Sequence, residues 1–144
     1  MKNMMNICIV LLLFTGSLFA QTDNTALISK KWVINKEAMR PVIADLLSTD
    51  PETAGLKGAA KESAISEGLE RISKMRIEMQ ADGSAVMASA RGEDKGTWRF
   101  ANNETVLYTK RDGGKENKFT IKSLTENELV IVSVNKVKLI LKKA

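Results

Sequence analysis

The chain has 144 residues, a formal net charge of +5, no histidine and one cysteine. Without histidine the commonest general base and metal ligand is gone, and one cysteine makes neither an internal disulfide nor a thiolate zinc cage. The positive excess is spread along the chain, in runs such as "SKK" and "LKKA", with no interleaved aromatics and no glycine-rich phosphate loop; nucleic-acid binding is not expected.

The first twenty residues, "MKNMMNICIVLLLFTGSLFA", place one lysine before an apolar run from Ile7 to Phe14 and end on the small residue Ala20. This is the pattern of a secretory signal peptide, with cleavage expected after Ala20. The run is too short for a bilayer-spanning helix, which needs about 20 apolar residues. Cys8 precedes the apolar run and lacks a Leu-small-small box before it, so no lipidation is expected. Removing 20 of 144 residues leaves 124, one domain's worth, and takes away the only cysteine. The expected location is periplasmic or secreted, with a core that holds without disulfides.

Residues 21–26, "QTDNTA", read as a polar leader, and 27–34, "LISKKWVI", as a first strand. A helical insertion over 37–72 follows. Met39, Val42, Ile43, Leu46 and Leu47 form the apolar stripe of a helix, expected to begin near Pro41 because proline is excluded from helix interiors. Asp50 and Pro51 look like the N-cap and first residue of another turn, weakened by Gly55 and Gly58. From 59 to 72, Ile65, Leu69 and Ile72 share a face, with Glu67 and Arg71 spaced for an ion pair.

At Ser73 the period changes from helical to two. Met75, Ile77 and Met79 alternate with Arg76, Glu78 and Gln80. "ADG" (81–83) turns into a strand of small residues over 84–90, and "RGEDKG" loops into "TWRF", where Trp98 and Phe100 share a face. "ETVLYTKR" lies between turns at "ANN" and "DGG". In "NKFTIKSL" Phe119 and Ile121 point one way. "ELVIVSV" and "VKLILKK" follow, joined through Asn135 and Lys136. Eight strands with short connections predict an antiparallel up-and-down barrel, mainly β, its helices inserted between strands one and two.

The order of these features resembles the bacterial secreted lipocalin-like domain proteins. The resemblance covers nearly all of 27–144. It rests on Trp32 in "SKKWVI", the helical segment before the second strand, the Asp-Gly turn of "MQADGS", the mid-chain "GTWRF" and the Leu-Thr step of "FTIKSLTENELVI". It implies a lipocalin-like barrel and an exported protein. The inserted helices also occupy the position of the lid in fatty-acid-binding barrels, so they are expected to act as a gate or to pack as core.

The residues offer no catalytic arrangement and no cofactor or metal is expected. "DG" at 82–83 and "RDGG" at 111–114 lack the spaced ligands of a calcium loop. Glu93 and Asp94 read as solvated charges, and no Ser-x-x-Lys stands in a favourable setting. Met75, Ile77, Met79, Trp98, Phe100, Phe119 and Ile121 form the candidate lining of the barrel interior, able to wall a site for a hydrophobic small molecule or to fill a core. Tyr108 is a further lining candidate for its hydroxyl, although Leu107 competes with it for the inward face. The expected function is non-enzymatic binding of a small apolar molecule. The alternative is a filled barrel that contacts an envelope protein or polysaccharide. Lys136, Lys138, Lys142 and Lys143 either protect a terminal edge strand or meet an anionic surface.

Overall fold

The computed structural model describes residues 23–144. The expected signal peptide, its Cys8 and the first two residues of the leader lie outside the described residues. Three helices, α1 (Asn24–Ile28), α2 (Lys36–Thr49) and α3 (Gly58–Ser73), accompany eight strands. The first strand, β1 (Lys31–Ile34), lies between α1 and α2, and β2 (Arg76–Met79) follows α3. The chain then runs without interruption by helix through β3 (Ser84–Ser89), β4 (Gly92–Ala101), β5 (Val106–Arg111), β6 (Glu116–Leu124), β7 (Glu128–Ser133) and β8 (Lys138–Lys143). Every neighbouring pair is antiparallel, and β8 returns to pair with β1. The sheet closes, so every strand has a hydrogen-bonded neighbour on both sides, as the short-turn pattern predicts.

Three local departures from the expected elements have physical causes. Asp23 caps α1 by accepting from the Thr25 N–H at 2.9 Å, which draws part of the expected leader into helix and shortens β1. Asn35 caps α2 by accepting from the Ala38 N–H at 3.3 Å, a full turn before Pro41. Burial of Met39 in that early turn outweighs the backbone bond that Pro41 forgoes from an exposed position. As expected, Asp50 accepts from the Glu52 N–H at 2.8 Å and a single turn forms before α3. Finally, β4 begins at Gly92 rather than Thr97, because Ser89 pairs with Gly92 across a tight hairpin. Ion pairs from Glu93 to Arg76 and from Asp94 to Arg111 hold this charged stretch against its neighbours.

One continuous core joins barrel and helices. Trp32, Met79, Leu107, Leu129, Ile131 and Leu141 are buried together with Ile28 of α1, Met39 of α2, and Ile65 and Leu69 of α3. The pair α2 and α3 packs together where the chain leaves the sheet between β1 and β2, α2 touching β8 and α3 touching β1. Gly68 permits their close approach, since a Cβ there would lie 3.0 Å from Ile43 Cγ2. Met39, Ile65 and Leu69 are the buried residues through which the insertion joins that core.

Candidate functional site

Cross-strand register decides which side chains enter the barrel, because alternate residues face opposite sides. Trp32 stands opposite Ile77, and Ile77 opposite Met87. Phe100 stands opposite Leu107, which in turn faces Phe119. Ile121 stands opposite Ile131, and Ile131 opposite Leu139. The expected lining residues Ile77, Met79, Trp98, Phe100, Phe119 and Ile121 therefore belong to one inward surface. Met75 lies just before β2 and is half-buried against the same core.

Tyr108 is the exception. It sits opposite Arg99 and Lys118, on the face away from Leu107, and the Arg99 guanidinium stacks 4.0 Å above its ring. Tyr108 is an outer-face residue held by a cation–π contact, not part of the lining. Val106 and Leu107 are both buried, so alternation in β5 carries no contrast from which to read direction.

One end of the barrel is closed by α1 and by the turns after β2, β4 and β6. Ile28 is fully buried there, and Trp32 Nε1–H donates to its carbonyl at 2.9 Å. Trp98 Nε1–H donates to the Gln80 carbonyl at 2.7 Å, and its ring meets Phe100 edge-on at 5.3 Å. Both indoles thus give their polar edge to the backbone and their faces to the interior. Asn24 of α1 donates to the Glu104 carboxylate, fixing α1 over the turn after β4.

Glu126, in the turn between β6 and β7, completes this closure. Its carboxylate lies 2.6 Å from Lys30 Nζ and 3.3 Å from Lys143 Nζ, tying the start of β1 and the end of β8 to one turn. The hydrogen bond from Lys30, followed by that from Lys143, holds the Glu126 carboxyl below its usual range. Asp82 is also lowered, by the Ser84 hydroxyl and backbone N–H that donate to it. That geometry makes Asp82 a turn-forming residue.

The opposite end has a different character. Ile77, Phe119 and Leu139 point inward near it yet are only half-buried. Asp94 and Arg111 pair at 3.3 Å on the same inward register, forming a polar rim. Thr109, opposite Trp98, is the buried polar side chain of the interior. Trp32, Met87, Thr109 and Leu139 were not among the expected lining residues, and Leu107 takes the inward place for which it competed with Tyr108. Trp32, Met87, Leu107 and Thr109 each lie opposite an expected lining residue, and Leu139 lies one strand further on, opposite Ile131, so strand pairing was the signal that could have found them. Among the described residues, no group of three or more acidic, histidine or cysteine side chains is placed to hold a metal ion.

Grooves also lie on the outer surface of the barrel. A groove of about 410 Å³ runs between α2 and β8, lined by Ala38, Pro41, Val42, Asp45, Leu46, Lys136, Lys138 and Ile140. A second, of about 320 Å³, crosses β6 and β7 and is lined by Lys118, Thr120, Lys122, Val132, Ser133, Val134 and Lys136.

Comparison with known proteins agrees with the architecture. A family model described as a lipocalin-like domain matches residues 48–131. A crystal structure of a DUF4847 family protein from Bacteroides vulgatus ATCC 8482 is similar, with a TM-score of 0.52 and 13% identity. That similarity covers 81% of this chain and 93% of the other, and at this identity it speaks for the fold alone. No curated protein matches the chain.

Proposed function

From the chain's membership of the lipocalin-like domain family, we propose that it is a non-enzymatic, exported binding protein that takes a small apolar molecule into its barrel. The observation that carries this reading is the unequal treatment of the two ends. One end is sealed by α1, the indole hydrogen bonds and the Glu126 clamp. At the other, Ile77, Phe119 and Leu139 face inward without being fully covered. Apolar walls with few polar groups suit a ligand recognised by shape and area rather than by charge. Thr109 and the Asp94–Arg111 rim are the polar groups able to orient one end of it.

Intrinsic tryptophan fluorescence tests this directly, since Trp32 and Trp98 both face the interior. Fatty acids and aromatic compounds are titrated while emission and thermal unfolding are followed together. A binder saturates the emission change and raises the midpoint through mass action, the added stability being about 2.7 kcal/mol at a hundredfold excess over Kd. Emission and midpoint unmoved by every compound would refute the reading.

A further inference from the structure

The lysines of the last strand protect no edge. β8 pairs with β7 on one side and β1 on the other, so gatekeeping against strand addition is unnecessary. Lys142 and Lys143 reach Glu37 and Glu126. Lys136 and Lys138 have no carboxylate within ion-pair distance among the described residues, and neither do Lys118 and Lys122 of β6.

These four exposed amines converge on one face. Lys118, Lys122 and Lys136 line the groove over β6 and β7, and Lys136 and Lys138 line the groove beside α2. Lys136 belongs to both, making the grooves continuous. Val132 lies between Thr120 and Lys138 in the cross-strand register. The large apolar side chains that stand exposed among the described residues are Leu46, at 37%, and Val134, at 71%, and each lines one of these two grooves. Asp45 is the one acidic residue on the combined lining.

We propose that this face docks peripherally on an anionic lipid bilayer. Lys118, Lys122, Lys136 and Lys138 meet the phosphates, and Val134 and Leu46 enter the headgroup boundary. The charges are spread over two open grooves rather than focused on one point, which fits an extended negative surface better than a single anion. Long lysine stems flanking isolated apolar tips are suited to that interface, because the amines reach the headgroups while the stems lie along apolar surface. The docking does not depend on an interior ligand.

The test is vesicle co-sedimentation of protein produced from the full sequence. Phosphatidylcholine vesicles are compared with vesicles that also contain phosphatidylglycerol. Wild type is expected to partition onto the anionic vesicles only, and high salt to release it. Lys136→Glu with Lys138→Glu should weaken that partitioning by about tenfold or more, and Val134→Asp alone should also weaken it. Lys74→Glu with Lys95→Glu, the same charge change next to β2 and on β4, should cost clearly less. Equal partitioning onto both vesicle types, or equal loss from both lysine pairs, would overturn the proposal. So would retention on an acidic polysaccharide without vesicle binding.

Discussion

Replacing Gly96 by alanine tests how closely the barrel wall is packed. Gly96 lies on β4 opposite Ala85 of β3 and Arg111 of β5. An added Cβ would stand 2.1 Å from the Lys110 carbonyl oxygen and 2.6 Å from Met87 Cε, with Arg111 Cα at 3.0 Å. Met87 can swing aside, but the carbonyl is backbone in a paired strand and must move by roughly an ångström to restore contact distance. That shift costs about 1–3 kcal/mol of overpacking, and it weakens at least one ladder hydrogen bond worth about 1 kcal/mol. The expected loss is about 3 kcal/mol, a large share of the ~5–15 kcal/mol that holds a domain together. Urea unfolding monitored by tryptophan emission measures it. Gly55→Ala is the reference, because a Cβ there meets nothing within 4 Å, and a change within about 1 kcal/mol is expected. If Gly96→Ala proves as stable as Gly55→Ala, the close approach of β4 and β5 described above is wrong.

Other predictions follow from the same contacts. Trp32→Phe removes the donor to the buried Ile28 carbonyl and should destabilise by about 2–3 kcal/mol, read from the urea midpoint. Ile65→Ala should cost about 2–5 kcal/mol by opening space in the shared core; near-complete stability of this variant would make the helices a detachable lid instead. Tyr108→Ala should lose no more than about 1 kcal/mol and leave ligand affinity unchanged, whereas Phe119→Ala should weaken ligand binding; calorimetry separates the two. Lys30→Met removes the strongest hydrogen bond to Glu126 and should raise its carboxyl toward the usual value, followed by NMR titration. Because the folded value is depressed, Glu126 contributes stability above its unfolded pKa, and this is lost as pH falls through the folded one. The variant should show a smaller stability loss across that acid range.

Period-two alternation made most strands legible, above all around Met75, Ile77 and Met79 and around Phe119 and Ile121. Short turns between them implied antiparallel neighbours, and eight such strands implied closure. What the sequence concealed has three physical origins. α1 has only five residues, too few for a periodic signal, and forms because Asp23 caps it and Ile28 is buried by the barrel. Pro41 sits inside α2 because tertiary burial of Met39 overrides a local preference. The facing of β5 was ambiguous because both its sides are buried at Val106 and Leu107, and only the register with Arg99 and Lys118 puts Tyr108 outward. Inside the barrel the sequence showed the inward apolar residues, but the closure of the end beneath α1 is set by contacts far apart in the chain. Lys30 and Glu126 are one example; Asn24 and Glu104 are another.

Native mass spectrometry of the protein mixed with a panel of fatty acids and aromatic compounds tests the binding claim most directly. The account predicts a single discrete adduct with at least one compound class, released when the protein is denatured. A bare chain mass against every compound in the panel would contradict it.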